Sequence, residues 1–353
     1  MQKKEQMVAA ICNEIILRQP EIHTGDPIQT IYFGGGTPSV LSIQELQHII
    51  DVIYTHYTVA KEAEITIEAN PDDLTKQKIE QLAKSNINRL SIGIQSFFEE
   101  DLKIMNRAHN AEEAKESLAL AAQYFDNISI DLIYGIPNMP VNAWKKNIQT
   151  ALDFGVPHIS CYALTVEPNT ALPKLIEKGK IAPVNDDLAQ KHFEILIEML
   201  ENNGFEHYEL SNFAKPGFYS KNNTAYWQGK NYLGIGPSAH SYNGSQRSWN
   251  INNNTKYIKA LQQNKLPNET ETLTITDRYN EYIMTGLRTR WGVSLQKVEK
   301  EFGKKHTDYL LQQAQKHIQQ HLLYIDNNTL LVTKKGKFLS DGIASDLFLL
   351  NLG

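Results

Sequence analysis

Cysteine is almost missing: Cys12 and Cys161 are the only two in 353 residues. So few and so far apart, they support neither a disulfide framework nor a metal motif, and they read as buried small apolar residues. Blocks of like charge are missing too. At a net charge of −5, the chain lacks the electrostatic footprint of a nucleic-acid or anionic-membrane partner. No apolar run approaches membrane-spanning length. The apolar stretch near the N-terminus is broken by Asn13 and Glu14 and has no small-residue cleavage site, so it fails as a secretory signal. A cytoplasmic location without stable membrane insertion is expected. Enzyme motifs are equally sparse. No Walker lysine follows the glycine run, and no HExxH, GxSxG or EF-hand pattern occurs. "GIGPSA" at Gly234–Ala239 is an incomplete dinucleotide fingerprint without its acidic partner, and reads as a turn.

What the sequence does contain is a repeated strand-helix pattern. An amphipathic helix, with Val8, Ile11, Cys12 and Ile15 on one face, ends before Pro20 and Gly25. Five strand-like runs follow: "TIYFGG", "AEITIEANP", "NRLSIGIQSF", "NISIDLIYGIP" and "HISCYALTVEP". Their apolar β-branched residues fit strands covered on at least one face, and helical patterns separate them. That order predicts an α/β fold with a parallel sheet and right-handed crossovers over residues 1–185. Residues 186–270 form a connecting helix and a Gly- and aromatic-rich segment. Residues 271–353 read as helices followed by a hairpin turned at Asn327-Asn328, a winged-helix-like module. With few lysines in "TKKGK", packing outweighs DNA binding as its role.

In parallel strand-helix folds the functional groups lie at the C-terminal ends of the strands. Here those ends carry Gly34, Gly35, Gly36 and Thr37; Glu68 and Asn70; Gln95 and Ser96; Asp131 and Tyr134; and Tyr162 and Thr165. Glycines after a strand let the backbone turn sharply or let a ligand come close. Singly, each carboxylate could be a solvated or ion-paired surface group. Gathered at one mouth, they suit a ligand rich in hydroxyl, amine and carboxylate groups.

The ordered set "FGGGTP", "IEANP", "RLSIGIQSF", "NRAHN", "IDLIYGIP", "EPNT", "YELSNFAKPG" and "LGIGPSAHSY" resembles the radical S-adenosylmethionine (SAM) proteins around oxygen-independent coproporphyrinogen III oxidase. Within them it is most similar to the HemW branch of heme chaperones. The resemblance implies an incomplete (β/α)6 barrel with the C-terminal module beside it, and the cofactors SAM, a [4Fe–4S] cluster and heme. Its implied partners are heme and heme-accepting proteins. Gly35, Gly36 and Thr37 match the segment whose backbone meets the methionine part of SAM, and Glu68 the carboxylate at its amino group. Gln95 and Asp131 match residues on the ribose hydroxyls. Arg107 matches the residue that pairs with the SAM carboxylate, as a guanidinium can through two hydrogen bonds.

Two departures from the family pattern set further expectations. Members begin with a strand and a CxxxCxxC loop whose thiolates hold the cluster, and this sequence has neither. Cys12 alone cannot replace three converging ligands. The chain is expected to begin just downstream of that loop, through shortening rather than true loss, and not to cleave SAM as it stands. In "KNNTAYW" the histidine of the family's HNxxYW heme motif is Asn222, while Asn223, Tyr226 and Trp227 keep the rest. Heme binding is therefore expected to be weak or absent, with His240 and His207 as substitute ligands. Two other readings stay open: a coproporphyrinogen III dehydrogenase, and a strand-helix barrel that binds a phosphate-bearing ligand. A homodimer is also left open.

Overall fold

The computed structural model describes residues 2–22, 25–168 and 171–350. Asn169 and Thr170 of "EPNT" lie outside them. The chain folds as two compact units that interleave in sequence. One comprises residues 30–43 and 64–219, and the other residues 1–29, 44–63 and 220–353.

Helix α1 (Gln2–Leu17) comes first. Then β1 (Ile28–Phe33), α2 (Ile43–His56), β2 (Val59–Ala69), α3 (Lys76–Ala83), β3 (Arg89–Gln95), α4 (Glu99–Ile104), α5 (Ala111–Ala121), β4 (Ile128–Tyr134), α6 (Val141–Asp153) and β5 (His158–Ala163) alternate. After them run α7 (Ala171–Glu177), α8 (Asp186–Asn202), β6 (Glu206–Glu209) and β7 (Asn212–Ala214). The sheet order is β1-β2-β3-β4-β5-β7-β6, curled as a half-barrel. Strands β2 to β5 pair in parallel, as the sequence predicts. "EHYELSNFA" folds back on itself as β6 and β7, with β7 pairing antiparallel to β5 and β6 antiparallel to β7.

Alternation along the strands divides the sheet into two chemically different faces. Ile65, Ile67, Leu90, Ile92, Ile128, Ile130, Leu132, Ile159 and Cys161 are buried on one face, where α6 and α8 pack against β4. Each such aliphatic side chain stabilises the fold by about 1.5–3 kcal/mol. Register places Thr66 beside Arg89, Glu68 beside Ser91, Ser129 beside His158 and Asp131 beside Ser160 on the opposite face. Polar groups so placed must find partners. His158 does so between Ser129 Oγ and the Tyr208 hydroxyl, both at 2.7 Å, and burial holds its pKa well below the usual imidazole range.

In the second unit, α9 (Lys221–Trp227), β8 (His240–Tyr242), β9 (Gln246–Asn250), α10 (Asn254–Leu261) and β10 (Asn268–Thr272) precede α11 (Ile275–Leu287). Then come β11 (Val293–Ser294), α12 (Leu295–Phe302), α13 (Lys304–Gln319), β12 (Leu323–Asp326), β13 (Thr329–Val332) and α14 (Ser340–Asp346). Strands β8, β9 and β10 form an antiparallel sheet. The C-terminal helices bury Tyr279, Ile283, Leu310 and Ala344 against a small sheet of order β11-β13-β12. Its hairpin turns at Asn327 (φ 44°) and Asn328 (φ 60°), the left-handed conformations that favour asparagine there.

Helix α1 belongs to this unit and carries a charge into it. The Glu14 side chain is fully buried and accepts hydrogen bonds from Asn250 Nδ2 (2.6 Å), the Tyr257 hydroxyl (2.5 Å) and the Gly236 amide (2.8 Å). Arg18 lies one helical turn on, 3.3 Å from Glu14, and donates to Glu21, the Gly234 carbonyl and Ser241 Oγ. "GIGPSAHSY" is thus more than a turn: its backbone is keyed to a buried ion pair. Gly234 could not be otherwise, because a Cβ there would stand 2.0 Å from the His240 carbonyl oxygen.

Candidate functional site

The polar face of the half-barrel opens at the C-terminal strand ends, where the glycine run leaves β1. Tyr32, the penultimate residue of β1, donates to Glu68 Oε1 at 2.7 Å, and the Gly35 amide donates to Glu68 Oε2 at 3.2 Å. Glu68 therefore has both oxygens engaged and is held in one orientation. Gly34 makes this possible, since a Cβ there would meet Tyr32 Cε1 at 2.4 Å and Glu68 Oε1 at 2.9 Å. Gly35 (φ +74°) and Gly36 (φ +88°) have nothing within 4 Å of a hypothetical Cβ, so that backbone is bare on its outer side. Thr37 then leads into a short 3-10 turn at Pro38–Val40.

Across the mouth, β3 ends in an irregularity. Its register with β4 shifts between Ile92 and Gln95, and Gln95 adopts φ 67°. Such bulges re-aim a side chain beside functional sites, and a left-handed non-glycine residue stores strain there. The Gln95 amide consequently folds back over Gly93, where a Cβ would stand 2.9 Å from Gln95 Nε2 and 3.3 Å from Arg107 Nη2. Arg107 donates to Asn70 Oδ1 at 3.3 Å and has no carboxylate partner among the described residues. A guanidinium held by one amide has donors left for an anion.

Asp131 completes the set from β4. Burial and the neighbouring Glu68 push its pKa up to about 7, against the pull of Ser160, Arg89 and Arg107. Burial and Glu68 likewise raise the Tyr32 phenol. A buried carboxylate whose charge a neighbouring carboxylate disfavours marks a place where a cation would relieve it.

Of the residues that the sequence singles out, Gly35, Gly36, Glu68, Asn70, Gln95, Arg107 and Asp131 gather on one compact unit. Ser96 and Tyr134 lie on the same unit but turn away from the mouth. Ser96 is buried against Asp101 and Asn147, and Tyr134 packs on Trp144 and Phe193. Both follow strand residues whose side chains face the opposite way, so their roles are structural. His207 is also withdrawn as an iron ligand: it is buried, stacked 4.1 Å from the Phe213 ring, with Nε2 at 3.1 Å from the Leu210 carbonyl. Tyr32 and Gly93 belong to the site without having been singled out as its residues. Strand-end glycines and a tyrosine alternating with buried residues were the available signals.

Residues 12–151 match the radical SAM superfamily, and residues 273–339 match the HemN C-terminal domain. The heme chaperone HemW of Lactococcus lactis is 35% identical over 319 residues, covering 90% of this chain and 84% of that protein. HemW of Bacillus subtilis is 33% identical over 91% of this chain and 86% of that protein. The chain belongs to the HemW family. The fold of this HemW-family chain is shared with the solved coproporphyrinogen III oxidase HemN of Escherichia coli, at a TM-score of 0.83 over 98% of this chain and 83% of that one, with 22% identity.

The segment "KNNTAYW" forms α9, in the other unit. Ser220 Oγ caps the helix by accepting from the Asn223 amide at 3.2 Å. Tyr226 is 51% exposed and meets Trp227 edge-on at 5.4 Å. His240 is exposed, beside the Trp249 ring at 6.2 Å. The donor set for an iron–sulfur cluster is a different matter. Cys12 and Cys161 are both buried, their thiols pushed up in pKa by burial. Among the described residues, no three His, Cys, Asp or Glu side chains gather as a metal site. These residues do not fit a [4Fe–4S] cluster, and no step is assigned to one.

Proposed function

We propose that this chain is a heme chaperone of the HemW type, one that binds SAM and passes heme to heme-accepting proteins. The observation that carries the reading is family-level identity across both units, at 35% over 90% of the chain. The geometry supports the finer assignments. Glu68, held by Tyr32 and Gly35, accepts from the SAM amino group, and the bare Gly35–Thr37 backbone runs along its methionine part. Arg107 pairs with its carboxylate. Gln95 and Asp131 take the ribose hydroxyls. Among the described residues no helix is long and apolar enough to cross a membrane.

Calorimetric titration with SAM and spectroscopic titration with hemin test the proposal, with SAM expected at one site per chain and hemin expected to bind weakly. Failure of either ligand to bind overturns it.

Asp131 makes the SAM site pH-dependent. Its folded pKa of about 7 lies above the value of about 3.9 expected when unfolded. Between those pH values the folded state binds the extra proton. The unliganded protein therefore loses stability from this residue as pH rises from about 4 to about 7, and is level above that. SAM carries a net positive charge and favours the ionised form. Binding is expected to release protons near pH 7 and to tighten from pH 6 to pH 8. Calorimetry in buffers of different ionisation enthalpy reads the released proton, and Asp131→Asn is expected to abolish it.

A further inference from the structure

The bulge that ends β3 is held from behind by groups that the SAM contacts do not use. The Ser96 amide donates to the Ile94 carbonyl at 2.8 Å, across the single residue Gln95, whose φ is 67°. That bond closes a γ-turn of the rarer, strained hand. Such a backbone persists only where its surroundings over-determine it. On its C-terminal side they do. Ser96 Oγ, fully buried, donates to Asp101 Oδ2 at 2.6 Å and accepts from Asn147 Nδ2 and the Phe98 amide, both at 3.1 Å. Asn147 Oδ1 accepts from the Phe97 amide at 2.7 Å, and Asn147 and Asp101 are buried with Ser96.

On the other side stands His109. Its ring is buried, with Nε2 at 3.1 Å from the same Ile94 carbonyl. A carbonyl only accepts, so Nε2 carries the ring proton and donates it. Burial, helped by Arg107, holds the imidazole below its usual pKa against the pull of that bond, and the ring is neutral at pH 7. The next residue is fixed as well, since Asn110 caps α5 in a box with Glu113. A rigid helix start thus aims one proton at the carbonyl on which the Gln95 turn closes. On the outer side of the turn the Gln95 amide meets the Arg107 guanidinium over Gly93. Arg107 has holds of its own: its amide donates to the Leu102 carbonyl at 3.0 Å, and its side chain to Asn70. Gln95 has no side-chain hydrogen bond among the described residues, so the turn alone places its amide.

We propose that His109 is a positioning residue of the SAM site: by holding the Ile94 carbonyl, it fixes the turn that presents the Gln95 amide to the ribose. The inference rests on the SAM reading of Gln95 above. The role is separable from plain packing. When the imidazole is lost, the Ile94 carbonyl keeps its bond from Ser96, so no buried acceptor is orphaned and the fold survives. What goes is the second constraint on the turn, and with it the preorganisation of Gln95.

The test is calorimetric titration of the full chain with SAM, for the wild type, His109→Leu, His109→Gln, and Gln95→Ala with and without His109→Leu. His109→Leu keeps much of the bulk and removes the donor; His109→Ala takes its place should it not fold. Binding is expected to weaken about tenfold, with a melting temperature close to the wild type's. His109→Gln, whose amide can donate to the Ile94 carbonyl, is expected to restore the affinity. In Gln95→Ala, adding His109→Leu is expected to change affinity less than about twofold, because the side chain it positions is gone. Wild-type affinity in His109→Leu overturns the inference and leaves the SAM reading standing. So does a loss that persists in Gln95→Ala or that glutamine does not repair, since the imidazole would then act through packing alone. If the wild type itself binds no SAM, both fall.

Discussion

Glu14→Ala is expected to destabilise the protein by about 3–5 kcal/mol, the cost of breaking a buried ion pair and leaving buried donors without an acceptor. The Arg18 side chain is as enclosed as Glu14, at 2% and 0% exposure. An arginine has five N–H donors, and the Arg18 guanidinium uses them on Glu14, Glu21, Gly234 and Ser241. Removing Glu14 leaves that cation only the partly exposed Glu21 as a carboxylate partner, and strands the Tyr257 hydroxyl and the Gly236 amide. Arg18→Lys is also expected to be costly, since one ammonium cannot span the same acceptors. Replacing the pair with apolar residues, Glu14→Leu with Arg18→Met, is expected to recover part of the loss. Urea denaturation midpoints check the series. A Glu14→Ala midpoint equal to the wild type's would contradict the structural role given to the pair.

The second large effect is on ligand affinity. Arg107→Ala is expected to weaken SAM binding by about 2 kcal/mol, or about thirtyfold, as loss of a hydrogen bond to a charged group does. Folding should be little affected, because Arg107 is half-buried and its single side-chain hydrogen bond goes to Asn70. Glu68→Gln is expected to act in the same direction, by replacing the acceptor of the SAM amine with an amide. Calorimetric titration of both variants tests the assignment. Affinity unchanged in either would remove that residue from the site.

Much of the sheet, and the grouping of the candidate site residues at its strand ends, is legible in the sequence. The strands announce themselves by β-branched alternation, and strand ends point to Glu68, Gln95 and Asp131. Residues placed correctly in sequence could still face the wrong way. Ser96 follows Gln95, whose left-handed backbone reverses the local alternation, and its hydroxyl ends up in the protein interior. Tyr134 lies on β4 three residues after Asp131, an odd offset that puts it on the opposite face. The pair Glu14 and Arg18 was harder still. At i and i+4 on a helix, opposite charges ordinarily describe a solvated surface. Only the distant Gly234–Asn250 segment turns them into a buried network. The contact of Tyr232 with Tyr242 has the same origin, a bridge between two segments rather than local periodicity.

A chaperone, unlike a passive heme reservoir, must hand its cargo to the acceptor in contact with it. The most direct measurement mixes the hemin-loaded full chain with increasing concentrations of an apo heme-accepting protein, following the acceptor's heme absorption in stopped flow. A transfer rate that rises with acceptor concentration, above the rate at which the chain loses heme to solvent, is the result expected here. A rate fixed at that spontaneous loss, whatever the acceptor concentration, would contradict it.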